Sequence, residues 1–94
     1  MSITVMIPTA LRRFAKDQAT FQIEGKSNVG EVLAALTSEY GELKHHIYDG
    51  DKLRSFVNVY LNNEDIRYLD KDASAVKSGD TIMIVPSIAG GSAR

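Results

Sequence analysis

Val29, Val32, Leu33, Leu36 and Tyr40 recur at i, i+3, i+4, i+7 and i+11, the spacing of one face of an α-helix. It is the one clear helix of the chain, and the segments on either side alternate with the period of β-strands. A single amphipathic helix with no equal partner has to bury its apolar stripe against a sheet. Its start is marked by Asn28, a good N-cap, with Glu31 three residues on where a capping-box carboxylate belongs; Ser27 is the competing cap. Gly41 stands where a left-handed C-terminal cap is expected.

The strands follow from period-two alternation. Ile3, Val5 and Ile7 share one face, Thr4 and Met6 the other, and Pro8 ends the run. Leu11 to Ala15 reads as a loop or single turn. Thr20 to Glu24 alternates with Phe21 and Ile23 inward, and pairs with the first strand as a wide hairpin. Leu43 to Tyr48 suits a short second helix with Leu43 and Ile47 inward, before turn material at Asp49-Gly50-Asp51-Lys52. Phe56 to Leu61 is the strongest strand: Val57, Val59 and Leu61 take one face, and Phe56, Asn58 and Tyr60 the other. Asn62-Asn63 is a turn that tolerates positive φ, and Glu64 to Leu69 returns as a short strand. Lys71 to Lys77 is polar, with room for one turn of helix, and Ser78-Gly79-Asp80 is a turn. Thr81 to Val85 is the last strand, with Ile82 and Ile84 toward the core. It is apolar on both faces and so belongs in the middle of the sheet. A right-handed crossover through the helix sets the first and last strands side by side and parallel. The expected class is α+β: a mixed sheet of four to five strands crossed by one main helix, the β-grasp or ubiquitin-like arrangement, as one domain over residues 1–86.

Ninety-four residues suffice for one modest core. No apolar run approaches the roughly 20 residues of a membrane helix, and no signal-peptide layout opens the chain. Cysteine is absent, which removes disulfides, thiolate nucleophiles and cysteine metal sites. The net charge is −1 with Lys and Arg scattered, whereas nucleic-acid binding needs a clustered basic face. A cytoplasmic protein that binds neither nucleic acid nor membrane is expected.

Nothing in the body of the chain reads as an active site. His45-His46 point about 100° apart on a helix and have no supporting ligands, so a solvated pair and no metal site is expected. Glu64 and Asp65 face opposite ways on a strand and cannot share a substrate. Asp49-Gly50-Asp51 lacks the ligand count of a calcium loop. Arg12-Arg13 suits a partner contact or plain surface equally. The sheet face away from the helix is different. It gathers Met6, Phe56, Tyr60, Met83 and Val85 with no second layer to cover them; a contiguous apolar patch suits a partner surface, while singly scattered exposed apolar residues are ordinary. Beyond Pro86 the chain runs Ser87-Ile88-Ala89-Gly90-Gly91-Ser92-Ala93-Arg94. Gly90 and Gly91 have no Cβ and can thread a narrow channel, so residues 87–94 are expected to form a flexible tail.

Three stretches carry a family resemblance: Phe56-Val57-Asn58-Val59-Tyr60-Leu61-Asn62-Asn63-Glu64-Asp65-Ile66-Arg67, Ser78-Gly79-Asp80-Thr81-Ile82, and Pro86 to Gly91. Over nearly its whole length the chain resembles the ubiquitin-like sulfur-carrier proteins. These are the molybdopterin-synthase small subunit, the thiamine-thiazole carrier and the carriers of cysteine or homocysteine synthesis, and the last are the most similar. The resemblance implies a protein co-substrate, not an enzyme. An ATP-dependent ubiquitin-activating-type enzyme would adenylate the Gly91 carboxylate, and a sulfur donor would convert it to a thiocarboxylate. A sulfur-accepting synthase would then take the sulfide. The carrier would bind no cofactor itself, ATP being used by its partner, and Ala89 and Gly90 would thread the tail into the partner's site. One departure stands out. Gly91 is followed by Ser92-Ala93-Arg94, which blocks the carboxylate as an amide, so the resemblance implies a precursor cut between Gly91 and Ser92 by a JAB-type zinc peptidase. The molybdopterin pathway, a protein modifier and an unprocessed interaction module stay open as alternatives.

Overall fold

A computed structural model describes residues 2–50 and 52–86. The first strand, β1 (Ile3–Met6), is followed by a 3-10 helix (Thr9–Phe14) and by β2 (Thr20–Ile23). Next come α1 (Val29–Glu39), α2 (Gly41–Ile47) and a small hairpin of β3 (Tyr48–Asp49) and β4 (Lys52–Leu53). Then follow β5 (Val57–Leu61), β6 (Glu64–Asp65), two 3-10 turns (Ile66–Tyr68 and Lys71–Ala73) and β7 (Thr81–Pro86). The main sheet has the order β2-β1-β7-β5-β6. Strands β1 and β7 run parallel at its centre, with Val5 beside Ile82, and the other pairs are antiparallel. This is the expected β-grasp topology.

The core lies between one sheet face and α1. Val29, Val32, Leu33 and Leu36 of α1 are fully buried, as are Val5, Ile82 and Leu43. Each such side chain contributes about 1.5–3 kcal/mol through burial. Phe21 and Ile23 pack against this cluster from β2, and Tyr40 meets Phe21 edge-on. The start of α1 is doubly fixed. Asn28 Oδ1 accepts the Glu31 amide at 2.8 Å, and Glu31 Oε1 accepts the Ser27 amide at 2.7 Å. Asn28 is therefore the cap, and the carboxylate reaches one residue farther back than in the standard box. Pairing of Asn28 with Ala75 ties this corner to the segment before β7.

Four expectations are corrected. Gly41 is not a left-handed cap; the chain turns at Tyr40 (φ −121°, ψ 84°) and Gly41 opens α2 directly. Residues 9–14 form a 3-10 helix that buries Leu11. The returning strand stops at Asp65, because its carboxylate accepts the Arg67 amide at 2.9 Å and starts a 3-10 turn instead. Finally, Pro86 belongs to β7 as its last residue, opposite Val57, where a missing N–H interrupts no further ladder. The Asn62-Asn63 turn has φ of 50° and 75°, as its sequence requires.

Candidate functional site

The face of the sheet away from α1 is built by alternation. Val57, Val59 and Leu61 are consumed by the core, so Asn58 and Tyr60 project to the other side. The same logic turns Met6 of β1 and Met83 and Val85 of β7 outward. Register then brings them together: Met6 pairs with Met83, Met83 with Tyr60, and Val85 with Asn58. Adjacent strands lie about 4.8 Å apart, so Met6, Met83 and Tyr60 form a continuous row roughly 10 Å long. Met83 is 38% exposed and the other members of the row are half-buried. Four of the five expected surface residues are thus neighbours on one face. Phe56 is the exception in structure: it lies in the turn before β5, 38% exposed, with the Arg54 guanidinium 5.9 Å from its ring centre. The Val57 amide donates to the Arg54 carbonyl and closes that turn, which takes Phe56 out of the strand register.

Beside this row lies a polar cluster that the sequence reading passed over. Arg67 Nε and Nη2 grip the Asp65 carboxylate, the shortest contact being 2.7 Å, and Nη2 also donates to Asn58 Oδ1 at 2.7 Å. Asp65 sits opposite Tyr60 in register. The hydrogen bonds from the Arg67 side chain, then from its amide, hold the Asp65 carboxyl below its ordinary value. The Arg67 side chain stays 59% exposed. It is a fixed guanidinium, ion-paired with Asp65, at the edge of an apolar row. The signal was an Asp followed two residues later by Arg, the pattern of an Asx turn.

The row leads to the root of the tail, since β7 carries Met83 and Val85 and ends at Pro86. Ala89, Gly90, Gly91 and Ser92, the expected threading and cleavage residues, lie outside the described residues. The other candidates stay structural. His46 stacks on Phe14 with ring centres 3.9 Å apart, and Arg13 covers that ring at 5.3 Å. Arg12 Nε donates to the Ile7 carbonyl at 3.0 Å. Among the described residues no three His, Asp or Glu side chains gather as a metal site, and no helix is long and apolar enough to cross a membrane.

The sequence model of the ThiS family matches residues 5–91. The sulfur carrier protein CysO of Mycobacterium tuberculosis is 36% identical over 94 residues, spanning 97% of this chain and 100% of that one. Among solved structures, a chain of the Amycolatopsis orientalis BexX/CysO complex superposes with a TM-score of 0.85 at 36% identity, covering 95% of this chain and 99% of that chain. The small archaeal modifier protein 1 of Methanosarcina acetivorans gives 0.85 at 30% identity, covering 96% of each.

Proposed function

Because this chain belongs to the ThiS family of ubiquitin-like sulfur carriers, we propose that it carries sulfur as a thiocarboxylate on Gly91 after residues 92–94 are removed. The observation that carries this reading is the extent of the family match, which ends at Gly91 while the sequence continues with Ser92.

The chemistry divides between the carrier and its partners. A JAB-type zinc peptidase hydrolyses the Gly91–Ser92 amide and frees a carboxylate. An oxygen of that carboxylate attacks the α-phosphorus of ATP on the activating enzyme, and pyrophosphate leaves. Sulfide from a donor then displaces AMP at the acyl carbon, leaving the thiocarboxylate and a released proton. Adenylation turns an inert carboxylate into an acyl group with a good leaving group, which is covalent catalysis shared between two proteins. The carrier needs no acid or base of its own. Its part is to present a thin tail, Ala89-Gly90-Gly91, from a rigid strand beside a surface the partner can hold. The row of Met6, Tyr60, Met83 and Val85, with Phe56 at its margin, is that docking surface. The resemblance of Phe56 to Arg67 to the amino-acid-biosynthesis carriers puts cysteine or homocysteine synthesis first as the pathway, with a sulfur-accepting synthase as the final partner.

A chain ending at Gly91 should support ATP–pyrophosphate exchange by the activating enzyme, and the chain through Arg94 should not. Equal exchange with both would refute the requirement for processing. A second reading, a protein modifier joined through Gly91 to lysines of targets, is favoured by the likeness to the archaeal modifier. Lysines bearing a Gly-Gly remnant after trypsin digestion would distinguish it.

A further inference from the structure

Along β5 and the turns that follow it, the described residues line an open hollow of about 760 Å3. Its floor is apolar: Leu53, Val57, Val59 and Ile66. Its wall is basic. Lys52, Arg54, Arg67 and Lys71 line it against two carboxylates, Asp65 and Asp72. Arg67 and Asp65 neutralise each other at 2.7 Å, the one ion pair among the described residues. Of the other charged residues that line it, Lys52, Arg54 and Lys71 outnumber Asp72 in a chain whose net charge is −1, while Asp49 stands opposite Lys52 in the β3–β4 pair. Arg54 is held in place by its Nε bond to the His45 carbonyl at 3.0 Å. Tyr48 also lines this space, and burial, then the Asp72 charge, push its phenol above the ordinary value. An apolar floor beside a wall with an excess of cations is the chemistry of a carboxylate site.

The position of the hollow singles out one carboxylate. Val57, on its floor, is the register partner of Pro86, the residue from which the tail departs. From there to Gly91 is five residues, Ser87-Ile88-Ala89-Gly90-Gly91, a reach of about 16 Å when extended. The segment contains one large apolar side chain, Ile88, and ends, once cut, in a carboxylate. We propose that this hollow is a resting site for the chain's own Gly91 carboxylate, held by Lys52, Lys71 and Arg54 whenever no partner engages the tail. The inference rests on the reading of Gly91 as the working terminus. Tethering over five residues gives an effective concentration in the millimolar range, so even a weak site is populated. A partner then has to draw the tail out, which lowers its apparent affinity by the fraction of carrier with the tail docked.

The test uses three chains of defined length: one ending at Pro86, one ending in the Gly91 carboxylate, and one ending in the Gly91 carboxamide. Amide NMR spectra are compared at residues Leu53, Val57, Ile66 and Lys71. The carboxylate chain should differ from the carboxamide chain at these positions. The difference should shrink at least several-fold in K52Q/K71Q and with added salt, and the Pro86 chain should resemble the carboxamide. Identical spectra for carboxylate and carboxamide chains, or a difference that K52Q/K71Q leaves intact, would overturn the proposal. So would a difference confined to Val57, which adjacency alone explains. Because each terminus is made directly, the outcome does not depend on whether a peptidase cuts the chain or sulfur is ever loaded.

Discussion

Replacing Asn62 tests how the strand that leads to the tail is held. Asn62 stands at φ 50° in the turn between β5 and β6. Its side chain clamps the start of β7: Oδ1 accepts the Thr81 amide at 2.9 Å, and Nδ2 donates to Asp80 Oδ1 at 3.0 Å. Asp80 is 8% exposed and its other oxygen accepts the Lys77 amide at 2.9 Å. Asn62→Gly keeps the left-handed backbone without strain but loses both bonds. At about 0.5–1 kcal/mol each for partly exposed bonds, plus about 0.5 kcal/mol of added freedom in the unfolded chain, it should cost about 2 kcal/mol. Asn62→Ala loses the same bonds and replaces a residue that tolerates the left-handed region with one that tolerates it less, at up to about 1 kcal/mol, for a total of about 2–3 kcal/mol. Urea unfolding followed by circular dichroism reads both values. The melting temperature should fall by roughly 4–8 °C per kcal/mol. The ordering matters more than the sizes: if Ala is no worse than Gly, the turn does not impose the left-handed backbone. If both cost under about 0.5 kcal/mol, the clamp on β7 contributes nothing.

Other consequences are equally direct. Asn28→Ala removes the bond to the Glu31 amide and should lower stability by about 1 kcal/mol in urea. Asp65 should titrate below the ordinary carboxyl value of 3.8 by NMR, and Arg67→Gln should return it toward that value. A carboxyl depressed in the folded state stabilises the fold above its unfolded value, and this contribution is lost as pH falls through the folded one, so it disappears only in acid. Met83→Asp, at a 38% exposed position, should change unfolding free energy by less than about 1 kcal/mol. Yet it should weaken binding to the activating enzyme at least about tenfold by placing a charge in the centre of the docking row. Unchanged affinity in a titration would remove that face from the interface.

Much of the fold was legible because few elements compete in so short a chain. The stripe from Val29 to Leu36 admitted one reading, and the alternation of Val57, Val59 and Leu61 fixed which way Tyr60 points. Register could be reasoned from the parallel first and last strands, and it carried Met6, Met83 and Tyr60 into one row. What escaped was set by local side-chain bonds that no period reports. The Asp65 carboxylate ended β6 early by capping the next turn. Tyr40 took up the bend expected at Gly41, and the turn closed at Arg54 removed Phe56 from the strand. The Arg67 cluster was only half legible: Asp65 and Arg67 are two residues apart, but Asn58 joins them only once β5 and β6 pair. The hollow escaped for a similar reason: Lys52, Arg54 and Lys71 converge across nearly 20 residues of chain with no motif between them.

The most direct test of the central claim is the intact mass of this protein isolated from its native cells. The sulfur-carrier reading predicts a chain that has lost Ser92-Ala93-Arg94, with a fraction heavier by the exchange of one oxygen for sulfur at Gly91. A chain that keeps those three residues under sulfur-limited growth, with no such exchange, would contradict it.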